Sequence, residues 1–143
     1  SAFDCMYTLL NNRPNYLDLF VFIKRVLAGL RDPNNEIRIL SHLIIQKLCI
    51  IAPNIVSQNL EDMVDPLKET LDKKTKKSDV KQEKDKHMEL IRSTLRTIIK
   101  LSNLADSANY NKFNLFYKSI KSIDFKYIEV FQQLVIEMEN SDK

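Results

Sequence analysis

The sequence holds a single glycine, Gly29, four prolines, no tryptophan and two cysteines in 143 residues. So little glycine leaves no material for the tight turns of β-hairpins and rules out a glycine-rich phosphate loop. Cys5 and Cys49 are too few for a disulfide scaffold. Both sit in apolar, periodic segments and read as small core residues of a protein kept in a reducing compartment, cytosolic and nuclear. No run approaches the roughly 18 to 20 apolar residues of a membrane span. The greasiest stretch, 17–30, is broken by Asp18, Lys24 and Arg25, and the opening residues do not read as a signal peptide.

Chemistry-bearing sets are missing as well. His42 and His87 have no Cys, His or carboxylate companions at metal-ligand spacing, so no metal or other cofactor is expected. Cys49, within Leu48-Cys49-Ile50, reads as an inert thiol. The carboxylate pairs Glu61-Asp62 and Asp85 with Glu89 fall on polar helix faces and read as solvated. These absences set enzymatic function aside and leave binding.

What is present is apolar residue at helical spacing. Apolar residues make up 44% of the chain and charged ones 29%, enough to bury a core and solvate its outside. Phe3, Met6, Tyr7 and Leu10 share one face, with no cap before them. Residues 1–11 therefore read as the end of a helix from a preceding repeat in a longer protein. The segment is expected to leave Phe3, Met6 or Tyr7 partly uncovered, in a chain that is monomeric or dimerises artefactually through that face. Residues 16–30 are apolar on nearly every side, which suits a helix covered on both flanks.

Asp32-Pro33 reads as an N-cap followed by proline at the first helical position. The next helix, about 34–51, turns Ile37, Leu40, Ile44, Leu48 and Ile51 inward and Arg38, Ser41, Gln46 and Lys47 mainly outward. After Pro53 a stripe of Val56, Leu60, Met63, Val64, Leu67 and Leu71 predicts one helix, bent but not broken at Pro66. Residues 72–86 carry seven lysines against four acids, the whole of the net charge of +3, and read as a solvated loop running into the first exposed turns of a helix. That helix continues through Met88, Ile91, Leu95, Ile98 and Leu104, and helices at about 109–121 and 124–139 follow.

The fold class is thus all-α: antiparallel helix pairs, one at 16–51, one at 54–104 with a lysine-rich insertion at 72–86, and a closing pair at 109–139, forming a HEAT-type solenoid of a single domain. Leu30-x-Asp32-Pro33-x-x-x-Ile37-Arg38 resembles the HEAT turn and second-helix start. There, Asp32, Pro33 and Arg38 form the structural repeat turn, with Asp and Arg pairing to their counterparts in adjoining repeats. No equally clear pair follows in the second unit.

A narrower resemblance rests on Cys5-Met6-Tyr7-Thr8-Leu9-Leu10, Leu43 to Cys49, Asp65-Pro66-Leu67-Lys68-x-Thr70, Val80-Lys81-Gln82-Glu83 and Glu89-Leu90-x-Arg92-Ser93-x-x-Arg96. In this order they resemble the C-terminal domain of the cullin-associated, neddylation-dissociated proteins, also named for the TATA-binding-protein-interacting protein. The likeness covers residues 3–104; beyond Leu104 only the apolar spacing agrees. The family places an aromatic just after Val-Lys-Gln-Glu, where Lys84 stands here.

The resemblance implies a HEAT superhelix that binds the N-terminal region of an unneddylated cullin, competes there with adaptor and substrate receptor, and so exchanges receptor modules of a cullin-RING ubiquitin ligase. Neither nucleic acid nor membrane is an expected partner. Partner contacts are expected on the second helix of each pair, at Arg38, Gln46, Glu89, Arg92 and Arg96, and on the basic segment at Lys76, Lys77, Lys81, Gln82 and Glu83. The alternative is a general HEAT adaptor or transcription-related module with a partner other than a cullin.

Overall fold

The computed structural model describes residues 2–12, 18–74, 80–104 and 106–141, with backbone alone at 2, 3, 6, 10 and 11. Among them are eight α-helices and no strand: α1 (Ala2–Asn12), α2 (Leu19–Gly29), α3 (Asn35–Ile51), α4 (Pro53–Gln58), α5 (Leu60–Asp72), α6 (Lys81–Ser102), α7 (Asn111–Lys121) and α8 (Ile128–Ser141). Packing sorts them into two layers. α1, α3, α6 and α8 follow one another side by side, while α2, α4, α5 and α7 form a second row against them. α3, α6 and α8 begin at Asn35, Lys81 and Ile128, steps of 46 and 47 residues, so the regular period belongs to the second helices. This is the HEAT-like solenoid that the apolar spacing predicts.

Several local details differ from the sequence reading. Asp18 caps α2, its carboxylate accepting from the N–H groups of Phe20 and Val21 at 3.2 and 3.4 Å. α2 is covered on one flank: Phe22, Ile23 and Val26 are buried, while Phe20 and Val21 are exposed, because among the described residues its neighbours are α3 and α4. The cap of α3 is Asn34, not Asp32. Asn34 Oδ1 accepts from the Glu36 N–H at 2.8 Å, whereas Asp32 Oδ1 accepts from the Asn34 N–H at 2.8 Å and so shapes the turn that carries Pro33. Pro66 lies within an unbroken α5. The interruption comes at Asn59, whose side-chain amide donates to the Ile55 carbonyl at 2.8 Å and draws the chain out of the helical ladder, separating α4 from α5. α8 starts at Ile128 rather than near 124. The Ser122 hydroxyl and carbonyl accept from the N–H groups of Asp124 and Phe125, holding 122–127 as turns.

The core is continuous through both layers, from Phe22, Ile23 and Val26 through Ile44, Leu48, Leu60, Met63, Leu67, Ile91, Leu95 and Ile98 to Phe113, Phe131 and Leu134. Each such side chain withdrawn from water contributes about 1.5–3 kcal/mol. α3 and α6 meet over the longest front, and there the interface is partly polar. His42 Nδ1 lies 2.9 Å from Ser93 Oγ, and Gln46 Nε2 donates to Thr97 Oγ1 at 3.1 Å. Thr97 in turn donates to the Ser93 carbonyl, while Ser41 and Thr94 donate to the carbonyls of Ile37 and Leu90. Both cross-helix rungs span 51 residues, which makes the two helices parallel and fixes their register.

Ser41 and His42 are fully buried, and Arg38 and Gln46 are half-buried, so the outward orientation expected for Arg38, Ser41 and Gln46 is corrected. The spacing of α3 hid this, because the helix packs on α1, α2, α4 and α6 and shows little of itself. Arg38 Nε donates to the Asp32 carbonyl at 2.6 Å, and its terminal nitrogen donates to Thr70 Oγ1 at 3.0 Å. The expected carboxylate ladder is therefore replaced. The arginine holds the backbone of its own turn and a hydroxyl on α5, and Arg31–Glu69 (3.3 Å) and Lys73–Asn35 (3.0 Å) add further ties between the same repeats.

Two outcomes follow. Replacing Arg38 by methionine keeps the stem but removes both hydrogen bonds, and should lower stability by about 2–3 kcal/mol; an unchanged urea midpoint would contradict this. His42 is the second test. Burial, and then the nearby Arg38 charge, push its pKa from 6.5 down to about 3. The unfolded ring thus takes a proton at 6.5 that the folded ring refuses until about 3. Stability present above pH 6.5 is lost across that window on acidification, by on the order of 1.4 kcal/mol per pH unit. Denaturation at stepped pH should show this slope in the wild type and a flatter one in His42→Gln; parallel slopes would refute it.

Candidate partner-binding surface

The row of second helices carries an outward stripe that changes character along the solenoid. On α3 the exposed positions include Leu43 and Ile50, seven residues apart and so on one line of the helix, and Leu9 is exposed on the neighbouring α1. On α6 the corresponding stripe is Glu89, Arg92 and Arg96, all exposed. The His42–Ser93 and Gln46–Thr97 rungs set Leu43 at a height between Arg92 and Arg96. An apolar strip and a cationic strip therefore run beside each other.

Arg92 and Arg96 stand four residues apart, one helical turn. Neither makes an ion pair or a side-chain hydrogen bond among the described residues, and the i, i+3 pairing of Glu89 with Arg92 that the spacing allows is not formed. Both line a groove of about 180 Å³ whose other wall is α8: Val130, Gln133, Leu134 and Glu137. Gln133 donates to Glu137 at 3.3 Å, holding that carboxylate on its own helix. The groove thus presents two guanidinium groups that make no ion pair among the described residues, facing a wall of Val130 and Leu134 together with the polar Gln133 and Glu137. Such forks suit carboxylates, which they can hold in a bidentate fashion.

Gln133 and Glu137 were not foreseen. Their i, i+4 spacing on α8 was a readable signal, but nothing in the sequence set α8 beside α6.

The remaining expected contacts divide. Lys81, Gln82 and Glu83 are exposed on the first turn of α6, which begins after Val80 without a side-chain cap. Lys76 and Lys77 lie outside the described residues, as do the side chains of Phe3 and Met6. Tyr7 is half-buried and packs on the core. Arg38 and Gln46 are spent on internal bonds, as described above, which leaves Glu89, Arg92 and Arg96 as the exposed members of the second-helix set.

No group of three or more His, Cys, Asp or Glu that could hold a metal ion occurs among the described residues, and no described helix is long and apolar enough to cross a membrane. Burial raises the Cys49 thiol to about 11, against a smaller opposite pull from Lys100. A thiol held that high is protonated and a poor nucleophile at neutral pH. On the opposite row, the Asp65 carboxyl is held below its ordinary value by the hydrogen bond from Lys112, 3.0 Å away, which ties α5 to α7.

Comparison with known proteins places the sequence in a family. The model of the TIP120 family, described as TATA-binding protein interacting (TIP20), matches residues 1–121. Cullin-associated NEDD8-dissociated protein 1 of Drosophila melanogaster is 36% identical over 134 residues, 90% of this chain and 11% of that protein. Its namesake in Dictyostelium discoideum is 34% identical over 119 residues, 83% of this chain and 10% of the relative. Cullin-associated NEDD8-dissociated protein 2 of Mus musculus is 37% identical over 101 residues, 71% of this chain and 8% of the relative. The chain spans about a tenth of the length of these relatives. With most of its length matched by the family model and by these relatives, the chain belongs to the TIP120 family, that of the cullin-associated NEDD8-dissociated proteins.

Proposed function

We propose that this chain is a protein-binding segment of a cullin-associated exchange factor, active in the cytosol and nucleus. It binds the N-terminal region of an unneddylated cullin and, with the rest of its superhelix, promotes exchange of adaptor and substrate-receptor modules without catalysing a bond change. Family membership supports the partner class. The observation that carries the site is the strip Glu89, Arg92 and Arg96 beside Leu43 and Ile50: exposed charge with no ion pair among the described residues, next to exposed apolar surface on packed helices. An interface of that kind gains affinity from its apolar part and orientation from its charges. Lys81, Gln82 and Glu83 extend the same helix toward its start, and Lys76 and Lys77 belong to the same proposal.

A second reading keeps the surface and changes the partner. The family's description as TATA-binding protein interacting is what speaks for a transcription-related partner. One experiment separates the two. Full-length protein should capture a cullin scaffold free of adaptor and fail to capture one whose adaptor site is filled. Arg92→Glu with Arg96→Glu should weaken capture by about ten-fold, roughly 1.4 kcal/mol. Equal capture with and without adaptor, or retention by TATA-binding protein alone, would refute the cullin reading; capture undiminished by the double reversal would remove the arginine strip from the interface.

A further inference from the structure

The end of α6, the 3-10 turn at Ser107–Asn109 and the length of α7 enclose a groove of about 580 Å³ that shares no residue with the α6–α8 groove. Its lining includes Lys118, Lys121, Asn103, Asn111 and Asn114, and no acidic side chain. Nothing in the proposed exchange activity uses it.

From this charge complementarity we infer that the groove docks an extended acidic segment of a partner protein, a run of Asp and Glu. One of the two cations is already placed. Lys121 Nζ sits 4.9 Å above the Tyr117 ring, and that ring is held at 6.0 Å from Phe113 and edge-on at 5.9 Å from Phe131, so the ammonium stands on a fixed aromatic base. Lys118, one turn away on α7, makes no ion pair among the described residues, unlike Lys112, which Asp65 neutralises. The walls are fastened as well. Ser107 Oγ donates to the Ser102 carbonyl at 3.0 Å, and the Asn114 amide donates to the Ala108 carbonyl at 2.7 Å, tying the turn to both helices. A preformed groove with one cation positioned spends less on ordering when a ligand enters.

Shape and stacking favour peptide over nucleic acid. The lining runs from Asn111 to Lys121 along α7, about 15 Å at 1.5 Å per residue, the length of four or five extended residues. Tyr117 is half-buried with Lys121 over its ring, so it offers no free face on which a base could stack.

Fluorescence anisotropy with a labelled hexaglutamate peptide tests the assignment, with hexaglutamine and a single-stranded hexanucleotide as competitors. The 143-residue chain should bind hexaglutamate, and unlabelled hexaglutamine should not compete. Lys118→Glu with Lys121→Glu should weaken binding at least about ten-fold, while Lys84→Glu with Lys86→Glu, an equal change in net charge on α6, should change it less than two-fold. Circular dichroism checks that the variants remain helical. Should Lys118→Glu with Lys121→Glu unfold the chain, Lys118→Gln with Lys121→Gln replaces it, with the same ten-fold loss expected. No binding by the wild type, equal losses in both pairs of variants, or stronger competition by the hexanucleotide than by unlabelled hexaglutamate would each overturn it.

Discussion

The parallel contact between α3 and α6 is the constraint on which the other features rest. Two consecutive second helices run side by side over Ser41–Leu48 and Leu90–Leu101, with Ile44, Ile45, Leu48, Leu90, Ile91, Leu95 and Ile98 fully buried. Small hydroxyl residues, Ser41, Ser93, Thr94 and Thr97, let the backbones approach, and each returns its proton to a carbonyl or shares it with the neighbouring helix. His42 belongs to this seam as a neutral ring with its Nε2 buried without a partner; burial, and then the Arg38 charge, keep its proton affinity low. Apolar contact supplies most of the free energy. The two rungs supply register, since a slide of one turn would break both.

Register is what converts the fold into a surface. With α3 and α6 locked, Leu43 falls beside Arg92 and Arg96, and α8 closes the far side of the arginine groove. The first-helix row shares the apolar core, and its polar ties are exposed ion pairs between neighbouring elements: Arg31 to Glu69 and Asp65 to Lys112. Exposed pairs of this kind contribute little, about 0–1 kcal/mol each, so they add little to the register that the buried rungs set.

Helix type and order were legible in the sequence because apolar residues recur at three and four, and because one glycine in the whole chain leaves few alternatives. The inward positions Ile44, Leu48, Met63, Leu67, Ile91 and Leu95 could be named from spacing alone and are buried. Polar residues were harder. Arg38, Ser41 and Gln46 read as outward because polarity is the usual sign of solvent, yet α3 has neighbours on most sides, and its polar groups pair with Thr70, Ile37 and Thr97. The N-cap of α3 was misplaced by two residues because Asp32 and Asn34 both have capping side chains, and only the turn geometry decides which is used. Glu89, Arg92 and Arg96 are exposed, as their spacing suggested; the groove they share with α8 depends on tertiary register, which periodicity does not encode.

The proposed binding surface sets charged and apolar side chains in fixed relation, and the α3–α6 seam is what holds them there. Native-state hydrogen exchange tests that claim most directly. The amides of 41–48 in α3 and 90–101 in α6 should be the slowest in the chain and should exchange with one common opening free energy, equal to that of global unfolding. Exchange of α3 through a smaller opening while α6 stays protected would show that the two helices are separable, and would contradict the account.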